Sequence, residues 1–188
     1  MSTNRTLHVF WPVLLLLISA ASPGCRQTVD NERVLNCPAD ENTAVRFFYD
    51  IGTDYFHFPL IFRPVGQGDP RLNTAPMGDE GRTAYISRKE MRDLIRGLAQ
   101  SGLPWQESEK VEPLGSFKHV FMTNEIRVVC SRGTAIAHFD PKRICQTLEP
   151  LDPALKTPRA LWEFQRFRQG YGCKVTGFNW EAYPDHSH

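Results

Sequence analysis

Apolar and polar positions begin to alternate at Thr43. Val45, Phe47, Tyr49 and Ile51 fall on one side of an extended chain, with Arg46, Phe48 and Asp50 on the other. That period of two marks a strand. The run Tyr55–Val65 repeats it, with Phe56, Phe58, Leu60 and Phe62 opposite Tyr55, His57, Pro59 and Ile61. Pro59 cannot donate to a ladder, so an edge strand or a bulge is expected there. Residues 64–82 carry seven Gly or Pro residues and are too long for an ordinary connection, which predicts a surface loop that is mobile or functional. Thr83–Ile86 is a further short β-like run.

At Ser87 the period changes. Ser87-Arg88-Lys89-Glu90 is a capping box, in which the Ser and Glu side chains satisfy backbone N–H groups reciprocally. Met91, Leu94, Ile95 and Leu98 then follow at helical spacing, and Ser101-Gly102 stops the helix. Ser101–Gly115 reads as another loop. Phe117–Met122 reads as a strand, and Glu125–Cys130 and Thr134–Phe139 as the arms of a hairpin closed by a three-residue loop, Ser131-Arg132-Gly133. Asp140-Pro141 puts an acceptor at the N-cap and Pro at the first helical position, predicting a helix to about Leu148. Thr157-Pro158 repeats the device for a helix through Gln169, with Ala160, Leu161, Phe164 and Phe167 as its apolar stripe. Cys173-Lys174-Val175 is a last β-like stretch. Strands and helices are segregated, which defines an α+β class. The expectation is a small single domain over residues 43–188, an antiparallel sheet with about three helices packed on it.

Ahead of that domain lies a different signal. Residues 9–21 are an uncharged apolar run of thirteen, preceded by Arg5 and followed by Ser22 and Gly24. A membrane span needs roughly 20 apolar residues. The run is too short, contains Pro12, and has the order of a secretory signal peptide over residues 1–24. Ser22-Pro23-Gly24-Cys25 resembles the lipobox of bacterial lipoproteins, which implies that Cys25 receives a diacylglycerol and becomes the new N-terminus. Gly24 and Cys25 match that pattern, whereas Ser22 stands where an aliphatic residue is usual. The competing cleavage follows Ala21. Cysteine arithmetic favours the lipid: of Cys25, Cys37, Cys130, Cys145 and Cys173, removing Cys25 leaves an even number in an oxidising compartment. Residues 25–42 then read as a polar, lipid-anchored linker.

Composition changes the picture mainly by exclusion. Hydrophobic residues are 41% and charged residues 23%, which excludes wholly disordered and polytopic membrane chains. The 22 basic and 21 acidic side chains leave a net charge of +1, and removal of Arg5 with the signal brings it to zero. Nucleic-acid binding, which needs a basic excess, is not expected.

The four remaining cysteines show no close ligand pair, so disulfides are expected over zinc. The pairing expected is Cys130–Cys145, across the hairpin and the helix folding back on it, with Cys37–Cys173 tying the ends. No Walker A, G-x-S-x-G, H-E-x-x-H, C-x-x-C or S-x-x-K pattern is present, and no cofactor or metal site is expected. The histidines are scattered. His57, His119 and His138 sit singly in strand runs, and the Asp185-His186-Ser187-His188 tail is a poor metal site for want of a fourth ligand. Arg88, Arg92 and Arg96 share one line of the first helix, where like charges repel unless an anion meets them. They are the candidate contact, with Trp105 second; Trp162 and Trp180 read first as core.

Two function classes follow. One is an exported, lipid-anchored protein of the bacterial envelope, facing the periplasm or the cell exterior, that binds an envelope protein or anionic ligand without catalysis. The other is a small envelope hydrolase with a site assembled from dispersed residues such as His119, His138 and carboxylates.

Overall fold

A computed structural model of the chain describes residues 31–32, 35–48, 60–73, 77–78, 81–108 and 124–183. Among the described residues seven strands form one sheet: β1 (Ala44–Phe48), β2 (Leu60–Val65), β3 (Met77–Gly78), β4 (Gly81–Ser87), β5 (Gln106–Ser108), β6 (Glu125–Cys130) and β7 (Gly133–His138). Their order is β3-β4-β2-β1-β6-β7-β5. Three α-helices lie over it: α1 (Arg88–Gln100), α2 (Ile144–Leu148) and α3 (Pro158–Gly170). The class is α+β, and the sheet is mixed: β2 and β4 run parallel, while the other pairs are antiparallel.

The period of two decides which side chains meet the helices. Val45 and Phe47 of β1, Phe62 of β2, Ala84 and Ile86 of β4 and Ile126 and Val128 of β6 share one buried face. Met91, Leu94 and Leu98 of α1, Ile144 and Leu148 of α2, and Phe164 of α3 close over it. Phe47 is central, with ring centroids 5.9 Å from Phe62 and 5.5 Å from Phe164. Side chains of this size, fully enclosed, each contribute roughly 1.5–3 kcal/mol through removal of apolar surface from water. The second face is also closed at Arg46, Phe48, Ile61 and Glu125. Arg46 and Arg127 stand directly opposite each other in the β1–β6 register. Arg127 is bonded to Glu125 and lies over the Phe48 ring, 4.8 Å from its centroid, which offsets the like-charge contact.

Several expectations are corrected. β2 is interior, between β4 and β1, although a proline-bearing strand was expected at an edge or a bulge. Pro59 lies outside the described residues. Pro64 lies past Phe62, where the described pairing with β1 ends, and stands opposite Ile86 in the parallel pair with β4. Within residues 64–82 a 3-10 turn (Pro70–Asn73) and β3 interrupt the expected loop, and β4 begins at Gly81. The segment after Ser101 contributes β5, an edge strand beside β7. Cys130 pairs with Gly133, so the hairpin loop is the two residues Ser131 and Arg132. Asp140-Pro141 opens a turn rather than a helix: Asp140 Oδ1 accepts the Lys142 N–H at 3.0 Å, and α2 starts only at Ile144. A 3-10 turn (Glu149–Ala154) follows, and residues 173–175 form no strand. The predicted strand Phe117–Met122 lies outside the described residues.

The disulfide pairing also differs. Cys37 joins Cys130, with Cα atoms 5.8 Å apart, and Cys145 joins Cys173, at 5.4 Å. Ala44 pairs with Val129, so the chain entering β1 runs past the last residue of β6 and brings Cys37 to it. Cys173 reaches Cys145 because the chain turns back after α3, with the Cys173 N–H donating to the Arg168 carbonyl at 3.2 Å. The expected pairing placed Cys145 over the hairpin; α2 instead lies beside the end of α3.

Candidate functional site

The site is built around α1, and the helix is held at both ends. At its start the capping box is complete: Glu90 N–H donates to Ser87 Oγ at 3.2 Å, and Ser87 N–H donates to Glu90 Oε2 at 2.9 Å. The same carboxylate reaches α3, accepting the N–H groups of Lys156 and Thr157 at Oε1 and the Thr157 hydroxyl at Oε2. Burial pushes the Glu90 carboxyl up, yet donors from Ser87, Thr157 and Lys156 outweigh it and hold the group below the ordinary carboxylate range. Glu90 therefore points inward as an anion, leaving the outer face of α1 to its bases.

At the other end Gly102, with φ of +75°, turns the chain out of the helix. The last carbonyls find side-chain donors. Ser101 Oγ and Trp105 Nε1 donate to the Leu98 carbonyl, at 2.6 and 3.1 Å. Asn31 Nδ2 donates to the Ala99 and Leu103 carbonyls, at 3.2 and 2.9 Å. Trp105 is 7% exposed and so spent on this cap and the core, which removes it as a surface contact.

Asn31 brings the upstream segment with it. Leu35 is 2% exposed and belongs to the core, and Cys37 is fixed to Cys130, so the described residues of this stretch pack on the domain. Between it and α1 runs an open groove of about 320 Å³. Leu35, Ile95 and Ala99 give it an apolar floor. Arg92 and Arg96 rise on the helix side, with Glu32 and Asn36 facing them on the segment side.

The structure thus keeps the predicted arginine line on the surface and gives two of its members a groove. Arg88 is 58% exposed at the side chain and stands 3.7 Å from the still more open Glu41, a contact too wet to hold it. Arg96 shares Asp93 with Lys89, at 3.2 and 2.5 Å. Lys89 is the main cause of the lowered Asp93 carboxyl. Arg92 is exposed and forms no ion pair among the described residues. The outer face of α1 carries Arg88, Lys89, Arg92 and Arg96 against one acid, Asp93. Glu32 and Asn36 were not legible as site residues, because their segment is mostly polar; the signal available was the spacing of Leu35 and Cys37, two anchors in a polar run.

Among the described residues, His138 is the one member of the dispersed histidines, and a carboxylate stands beside it. His138 is 65% exposed at the side chain, with Nδ1 3.7 Å from Glu125 Oε2. The hydroxyl of Thr134 shares its face of β7 but lies four residues away, about 13 Å along the strand. His57, His119, His186 and His188 lie outside the described residues, as does Cys25. Among the described residues no group of three or more His, Cys, Asp or Glu side chains could hold a metal ion. Trp162 is 5% exposed, donates to the Asn179 carbonyl at 2.7 Å and stacks on Phe178, a core role. No helix among the described residues is long and apolar enough to cross a membrane. Comparison of the chain with protein-family models, curated proteins and solved structures finds no match.

Proposed function

We propose that this chain is an exported protein of the bacterial cell envelope, lipid-anchored through Cys25, whose folded domain is a non-catalytic binding module for an anionic partner. The observation that carries the reading is the groove in which Arg92 and Arg96 face the segment leading from Cys25. Bases gathered on one face of a chain with almost no net charge are a local recognition device, since a general field is absent. Guanidinium groups suit carboxylate and phosphate oxygens because their planar fork donates two parallel hydrogen bonds. Two disulfides fit a domain exposed to oxidant.

Cross-linking in intact cells tests the binding role. The triple variant R88E/R92E/R96E is expected to keep the wild-type circular dichroism spectrum, because all three side chains are exposed, and to lose its cross-links, whether these run to membrane lipid or to protein. Unchanged products would remove this surface from the account.

A further inference from the structure

We propose that the anionic partner of α1 is the bilayer itself: the Arg88–Arg92–Arg96 face lies against the phosphate-bearing headgroups of the membrane that holds Cys25. The inference rests on the anchoring reading, and covalent geometry carries it. Asn31 is fixed to the carboxyl end of α1 through the Ala99 and Leu103 carbonyls. Six chain steps, across five intervening residues, separate it from Cys25, which at 3.3–3.6 Å each allow a reach of about 20 Å. Along α1, at 1.5 Å per residue, Arg96, Arg92 and Arg88 lie about 5, 11 and 17 Å from Ala99. The whole line therefore falls within the tether's range of the bilayer.

Charge complementarity then orients the domain. Four bases and one acid point outward from α1, and each base near an anionic leaflet adds about five-fold to partition. Such a contact is weak for a free domain. The tether makes it intramolecular, at an effective concentration of about millimolar, so the docked state is populated without further affinity. The groove beside Arg92 and Arg96, with its apolar Leu35–Ile95 floor, would receive part of a headgroup.

The test uses the mature membrane-extracted protein, reconstituted in neutral phosphatidylcholine vesicles and in vesicles with phosphatidylglycerol as about a third of the lipid. Phenylglyoxal modifies accessible arginines, and mass spectrometry locates the adducts. Arg88, Arg92 and Arg96 should react several-fold more slowly on the anionic vesicles, and high salt should erase the difference. Arg143, exposed at the start of α2, should react alike on both. Intact mass of the same sample separates the two layers of the argument. A chain without acyl mass overturns the anchoring and this inference together. An acylated chain whose α1 arginines react equally on both vesicles overturns the inference alone, as does protection shared by Arg143. Protection found in native membranes but on neither vesicle would assign the face to a protein partner, again overturning it.

Discussion

Glu90 and Thr157 are 67 residues apart in sequence and joined by two hydrogen bonds, N–H to Oε1 at 2.5 Å and hydroxyl to Oε2 at 2.9 Å. Thr157 is the N-cap of α3, yet its side chain does not cap its own helix. The carboxylate of the α1 capping box instead accepts the N–H groups of Lys156 and Thr157 and the Thr157 hydroxyl, and so ties the chain entering α3 to the start of α1. One anion thereby sets the angle at which α1 presents its bases, and links a local sequence signal to the position of the candidate site.

Substitution of Glu90 should therefore cost more than an ordinary cap. Glu90→Ala removes the reciprocal box and strands the N–H groups of Lys156 and Thr157, for an expected loss of about 2–4 kcal/mol. Glu90→Gln keeps the shape and one acceptor oxygen, and should lose about half as much. Urea unfolding measures both; an Ala variant within about 0.5 kcal/mol of wild type would contradict the clamp.

The same group gives a pH dependence of known sign. Its folded carboxyl lies below the ordinary value of 4.5, so its contribution is fully present above that pH and is lost as pH falls through the folded value. The stability gap between wild type and Glu90→Gln should be constant near neutrality and narrow below about pH 4.5. A gap that widens on acidification would show that burial, not the donors from Ser87, Thr157 and Lys156, governs the group.

Non-reducing peptide mapping should recover Cys37 with Cys130 and Cys145 with Cys173. The bridges close separations of 93 and 28 residues. On the chain-entropy model they stabilise by about 5 and about 4 kcal/mol. The double variant C37S/C130S should thus be the more damaged of the two. It should also loosen the groove, because Cys37 holds the wall opposite α1.

Leu35→Ala tests whether that wall belongs to the domain. Leu35 is 2% exposed, and its loss should cost about 2–5 kcal/mol. A cost near zero, measured by the same unfolding experiment, would return residues 31–42 to the status of a linker.

What was legible in the sequence was what local periodicity controls. The capping box at Ser87 and Glu90, the Met91–Leu98 stripe, the β6–β7 hairpin and the Pro158 start of α3 all lie within a few residues of the side chains that specify them. The α+β class followed from their segregation. Non-local contacts were hidden. The parallel β2–β4 pair, the interior place of a strand containing Pro64, and both disulfide partners depend on which segments meet in space, and spacing alone does not encode that. Trp105 looked like a free aromatic between loops because nothing nearby showed that the Leu98 carbonyl would need its indole N–H. The arginine line was visible as a helical repeat; the groove beside it was not, since half of it comes from a polar stretch anchored only by Asn31, Leu35 and Cys37.

The central claim, a domain tethered at Cys25 with its basic helix toward the partner, is tested most directly by the intact mass of the chain from the membrane fraction. The account predicts a chain that begins at Cys25 and carries added acyl mass. An unmodified soluble chain beginning at Ser22 would contradict it.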